Sequence, residues 1–223
     1  ELSNKFNTYI YMPNILKPNF KNIFKETIDN SLKQYTLKGF VISNIGYFNM
    51  LEEYLKDYEF IGNYNLNVFN NESISNLKVD TITISPELNK DEINSIAVNT
   101  NIPTEFIVYG NLPLMTSSYC LLGKANKCYP DCGQKCKLTN KYYLKDRMNF
   151  LFRVLPDNIQ TVTTIYNSKI SSIDTNEINN VTNFRIDILD ESVEEINEII
   201  NTVKQGNRLE GKEYTNGNLN RTV

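Results

Sequence analysis

The chain has 223 residues, with 26 acidic and 23 basic side chains giving a net charge of −3, and no His or Trp. Without His, this chain alone cannot build a Ser-His-Asp triad, a Cys-His dyad, an HExxH zinc site or any His-ligated metal. A pI near 5.2 excludes a broad basic surface for nucleic-acid backbones.

The apolar fraction of 40%, with 11 Phe and 14 Tyr, marks a globular chain, and the length fits one domain or a large part of one. Asn is used heavily while Ala occurs only at Ala97 and Ala125; the bias reads as codon usage and the Asn tracts as solvated surface. No segment approaches the roughly 20 apolar residues needed to span a bilayer. The opening Glu-Leu-Ser-Asn-Lys lacks a signal peptide's basic start and apolar run, so no membrane contact and a cytoplasmic location are expected. It also lacks Met, so an N-terminal part of the same protein is expected to precede it.

Residues 8–15 form a short predicted strand. From Pro18, Phe20, Ile23, Phe24, Ile28 and Leu32 recur at helical spacing. Residues 40–46 are a continuous apolar run of the doubly buried parallel type, followed by a short helix through Met50, Leu51, Tyr54 and Leu55. Residues 60–64 and 81–84 continue as strands, with helices predicted over 70–77 and through Ile93, Ile96 and Val98; residues 105–110 form a fifth strand. Strand and helix alternate about every 20 residues, the pattern of βα units on a parallel sheet. Without a Gly-rich phosphate loop, this favours part of a (β/α) barrel over a dinucleotide-binding sheet.

The alternation breaks at Leu112-Pro113. Residues 116–141 read as a polar loop; residues 142–147 and 150–154 read as a hairpin turning at Met148-Asn149. Residues 164–167 and 183–188 read as parallel-type strands. A closing helix follows Asp190, with Ser192 near its start and a stripe of Val193, Ile196, Ile200 and Val203. The fold expected is therefore α/β: a partial TIM-like (β/α) barrel with an inserted four-Cys metal loop and a hairpin. Residues 1–115 supply βα units of the barrel, 116–141 the Cys-rich loop, 142–205 the hairpin and closing βα units, and 206–223 a loosely ordered polar tail.

All four cysteines, Cys120, Cys128, Cys132 and Cys136, fall in that loop with gaps of seven, three and three. Disulfides would need an oxidising compartment, whereas a metal or iron–sulfur core relieves the repulsion of four close thiolates. Lys124, Lys127, Lys135 and Lys137 interleave with them and favour the ionised thiols. Spacing alone leaves structural zinc, a four-iron cluster, paired disulfides and unrelated thiols open.

Glu105-Phe106-Ile107-Val108-Tyr109-Gly110-Asn111-Leu112, followed by Ser118-Tyr119-Cys120-Leu121-Leu122-Gly123, resembles the signature of the U32 peptidases, also called collagenase-like proteases. Cys132-Gly133-Gln134-Lys135-Cys136 is similar to that family's Cys-Ala-Gln-Pro-Cys element. Residues 42–46, 84–88, 143–147, 165–168 and 214–217 add further similarity, of the kind found in clostridia. The resemblance covers nearly the whole chain and corresponds to the later part of a family member. Pro113 and Thr161 stand where, or near where, family members carry further cysteines, and Cys128 can replace one of these.

The resemblance implies a peptidase, including a collagenase-like protease, acting on peptide. It equally implies kinship with four-iron-cluster proteins that assist hydroxylation of tRNA, ribosomal RNA or a quinone precursor. A third reading is a non-catalytic, metal-stabilised substrate-binding fragment. The sequence shows no clear nucleophile motif. Glu87 and Glu105 are candidate acid–base carboxylates at strand ends, set against ion pairing with Arg147, Arg153 or Arg185. Asp146 and Arg147 are candidate substrate-binding residues for an anionic group, set against simple pairing with each other. Tyr109, Tyr119, Tyr142 and Tyr143 offer rings for stacking a base or for packing around the loop.

Overall fold

The structure is a computed structural model that describes residues 1–128, 132, 136 and 140–221. The first half runs as expected: β1 (Tyr9–Tyr11), α1 (Lys21–Gln34), β2 (Gly39–Ile42), α2 (Gly46–Met50), β3 (Glu59–Gly62), α3 (Asn71–Ser75), β4 (Thr81–Thr83), α4 (Lys90–Asn99) and β5 (Thr104–Gly110). α4 begins at a capping box in which Asn89 and Glu92 satisfy each other's backbone N–H groups. Strands β1 to β5 pair in order, all parallel.

The second half departs from expectation. Pro113 opens a strand, β6 (Pro113–Ser117), and the Cys-rich segment contains a short helix, α5 (Leu121–Ala125). The predicted hairpin is present as β7 (Tyr142–Lys145) and β8 (Leu151–Asp157). The strand expected to rejoin the parallel sheet, β9 (Val162–Tyr166), instead pairs antiparallel with both β6 and β8. These four strands form a separate antiparallel sheet in the order β6-β9-β8-β7.

The chain returns through β10 (Ile170–Ser172), antiparallel to the end of β5. Then β11 (Asn183–Ile186) adds a sixth parallel strand beside β5. α6 (Val193–Lys204) starts at the capping box Ser192/Glu195, but the residue it buries is Ile199 and Val193 is exposed. The segment after Gly206 is not a loose tail. β12 (Tyr214–Thr215) pairs with β10, and Leu219 is buried in the core. None of the helices among the described residues is long and apolar enough to cross a membrane.

The two faces of the main sheet differ, which corrects the doubly buried reading. Phe40, Ile42, Phe60, Ile82, Ile84, Phe106 and Val108 point to one side and are buried in two apolar clusters that include helix residues Ile28, Met50, Ile93 and Ile96. Each fully buried side chain of this kind stabilises the fold by about 1.5–3 kcal/mol. The alternate positions are mostly polar: Tyr9, Tyr11, Glu59, Thr81, Thr83, Glu105 and Arg185 share this face with the apolar Val41, Ile61 and Ile107. Tyr9 Oη donates to Glu59 Oε2 at 2.6 Å across Gly39, where a Cβ would come within 1.9 Å of the Glu59 carbonyl oxygen.

The polar face is concave. Six flat strands would hold β1 and β11 about 24 Å apart, five spacings of about 4.8 Å. Yet the guanidinium of Arg185 on β11 lies 5.5 Å from the ring of Tyr11 on β1. The sheet therefore curls strongly, but it is not a closed barrel: among the described residues β1 pairs only with β2, and β11 only with β5.

Candidate functional site

Arg185 organises the concave face. Its Nε and Nη2 donate to the two carboxylate oxygens of Asp187 at 2.5 and 3.1 Å, and its Nη1 to Asn63 Oδ1 at 3.0 Å and Glu105 Oε1 at 3.5 Å. Glu105 also accepts from Thr83 Oγ1 at 2.8 Å. Fully buried Asn63 shares the two protons of its Nδ2 among Tyr11 Oη, Ser43 Oγ and Asn65 Oδ1, all within 3.0 Å. Burial works against the guanidinium charge, but Asp187, with Tyr11 and Glu105 beyond it, more than offsets this and holds Arg185 protonated. Glu105 is thus committed to an ion pair beside β4 and β11, the arrangement weighed for it from sequence. Arg185, Asp187 and Asn63 were not singled out as site residues. The available signal was the alternation Asn183-Phe184-Arg185-Ile186-Asp187, which puts the charged residues on one face.

Glu87 lies elsewhere. It follows the end of β4, is exposed, and lines a cleft of about 490 Å³ together with Tyr64, Asn65, Asn167, Asn218 and Arg221. This cleft opens beyond the carboxyl ends of β3 and β4, where open α/β sheets bind ligands. Asn65 and Tyr64 connect it to the Arg185 network, because Asn65 accepts from Asn63 and Tyr64 feels the charges of Asp187 and Arg185.

Asp146 and Arg147 are exposed in the turn between β7 and β8. Asp146 Oδ1 accepts from the backbone N–H groups of Met148 and Phe150, both at 2.8 Å. That work is local: it shapes a turn whose Asn149 takes φ +68°. Neither residue lines the cleft of Glu87.

The four cysteines are free and line one cavity of about 20 Å³ with Gly123, Pro156, Asp157 and Thr161. Cys120 caps α5, its Sγ accepting from Gly123 N at 3.1 Å. Burial pushes the Cys136 thiol up, and Cys120, Cys132 and Cys128 around it add to the effect. Among the described residues no Cys, Asp or Glu side chains are drawn into a metal-holding group, so the thiols share a cavity without forming a coordination sphere. The donor set itself, four unpaired thiols on one cavity, fits a thiolate-held zinc or four-iron cluster. Gly133, Gln134, Lys135 and Lys137 of the expected loop lie outside the described residues.

The antiparallel sheet that carries this cavity is tied to the main sheet in two places. Buried Arg153 on β8 donates Nε to Asp190 Oδ2 at 2.5 Å and Nη2 to Oδ1 at 3.2 Å, just before α6. At the other end, Gln160 docks on the segment between β1 and α1. The hydrogen bond from Arg153 holds the Asp190 carboxyl below its ordinary value of 3.8, against the opposing effect of burial. A depressed carboxyl gives stability that is present above that ordinary value and lost as pH falls through the folded one. Melting temperature is accordingly expected to fall steeply below about pH 4, and less steeply in Asp190→Asn; parallel curves for the two chains would show that the pair is not felt.

A sequence model of Peptidase family U32 matches residues 4–215, almost the full length. The chain belongs to peptidase family U32. The solved structure of the U32 peptidase Mk0906 is similar at 12% identity and a TM-score of 0.44, over 84% of this chain and 71% of that one. Comparison with curated proteins gives no match. Within this U32 chain the candidate regions are the cleft with Glu87, the Arg185 network behind it, and the four-thiol cavity beside the antiparallel sheet.

Proposed function

We propose that this U32 chain is the substrate-binding and metal-holding part of a peptide hydrolase of the collagenase-like kind. The observation that carries the reading is Glu87, an exposed carboxylate on the wall of the 490 Å³ cleft beyond the strand ends. With no His in the chain, a carboxylate is the natural general base for activating water. The side-chain amides of Asn65, Asn167 and Asn218 can pair with a peptide backbone, and Arg221 offers a cation to an oxyanion or a terminal carboxylate. Gelatin hydrolysis by the full-length protein tests this. Glu87→Gln is expected to slow it about a hundredfold with no change in melting temperature; undiminished hydrolysis by that variant overturns the reading.

The cavity shared by four free thiols supports a second reading, a four-iron-cluster accessory for hydroxylation of RNA or a quinone precursor. When bound, zinc supplies a structural cross-link, and a four-iron cluster supplies one-electron chemistry. Free thiols suit a reducing cytoplasm, and that is the location we assign. Among the described residues the outer edges of β1 and β11 are unpaired, and such edges can accept strands from a partner segment.

A further inference from the structure

We infer that Lys17 is a positioning residue for the four-thiol centre, fixing the wall of its cavity and setting a positive charge behind it. The inference rests on reading the four cysteines as one metal centre. Lys17 follows β1, 143 residues before Gln160, and three hydrogen bonds, two of them from Lys17, tie Gln160 to the segment after β1. Lys17 N donates to Gln160 Oε1 at 2.9 Å, Gln160 Nε2 donates to Ile15 O at 3.2 Å, and Lys17 Nζ donates to Gln160 O at 2.6 Å. The same ammonium donates to Thr161 Oγ1 at 3.2 Å.

Thr161 is the residue that makes this matter. It lines the cavity together with all four cysteines, and its φ of +59° is left-handed backbone that a β-branched residue adopts only when its surroundings impose it. Gln160, fully buried, and Lys17 are those surroundings. Asp157, also on the cavity, is used in the same turn and accepts from Ile159 N, Gln160 N and Gln160 Nε2. The ammonium therefore sits one residue behind the cavity wall.

Four thiolates on a divalent ion leave a net charge of −2, so a fixed cation behind them favours the loaded state. Groups that orient and tune a metal site from behind its ligands commonly change affinity 10- to 100-fold when lost. Lys124 and Lys127, nearer in sequence to the cysteines, are exposed, and water weakens their effect. Lys17 is half-buried and held at two points.

The test is titration of the full chain with cobalt(II), read by thiolate-to-metal absorption, in wild type, Lys17→Met, Lys17→Gln and Lys17→Arg. Met and Gln are expected to weaken cobalt binding about tenfold, Gln despite its retained donor, while Arg stays close to wild type. Equal affinity in wild type, Met and Gln would overturn the role of Lys17. Equal weakening in all three variants would overturn the part assigned to charge. A wild-type chain that binds no cobalt would overturn the metal-centre reading itself.

Discussion

Replacing Arg185 with Met is expected to destabilise the fold by about 4 kcal/mol, the cost of stranding partners of a buried ion pair. Asp187 and Glu105 would each lose their cation, and Asn63, fully buried, would lose a donor. The side chains of Arg185 and Glu105 are each only 16% exposed and that of Asp187 31%, so water only partly replaces what is removed. The stacking of the guanidinium on Tyr11 would go as well, and with it a contact that bridges the first and last strands of the curled sheet. In a chain of this length the melting temperature should drop by roughly 10 °C. A smaller loss in Arg185→Lys than in Arg185→Met is also expected, because Lys keeps the charge but not the fork that grips Asp187. A loss under 1 kcal/mol in Arg185→Met, measured by urea unfolding, would show that the concave face is solvated and the network weak.

Replacing Cys136 with Ser is the second large effect. A structural four-thiolate metal contributes about 10–16 kcal/mol of binding free energy in small domains, and that energy is also folding energy. Removing one ligand is expected to abolish stoichiometric metal binding and to make the segment around α5 susceptible to proteolysis, while the main sheet, with its own apolar clusters, stays folded. Cys136 stands among the other three thiols and all four share one cavity, so the serine should act on the centre as a whole. Metal content and proteolysis unchanged from wild type would contradict ligation by this residue.

The alternation of strands and helices through β5 was legible because each strand carries a run of β-branched and aromatic residues between turn signals. The hairpin was legible too: Asp146 and Asn149 are turn residues with a mechanism, and they make the turn. What the sequence hid was the polarity of one sheet face. Residues 40–46 look continuously apolar, and the strands most exposed to that error, β2 and β3, set the apolar Val41 and Ile61 on the concave side beside Gly39 and Glu59. Asn63 was lost in a chain crowded with asparagines, most of them on the surface. β9 was misplaced because a five-residue strand reads alike in either sheet, and only pairing with β6 and β8 decides.

The four cysteines stood out in the sequence by type and clustering, and the structure sets them on one cavity. Their placement against Thr161 and Lys17 depends on contacts more than 140 residues apart in the chain, which no local pattern reports. Glu87 stood out for its place after a strand end, and it lines the cleft there; Glu105, its sequence twin, is instead paired with Arg185.

The hydrolase reading, its cluster-bearing rival and the role of Lys17 all include one claim: the four thiols form a single metal centre. Elemental analysis of the anaerobically purified full-length protein, beside its Cys120→Ser/Cys136→Ser variant, tests it directly. The account predicts one centre per chain in the wild type, as four irons with broad brown absorbance or as one zinc, and none in the variant. Wild-type protein without stoichiometric metal, or a variant that keeps it, would contradict the account.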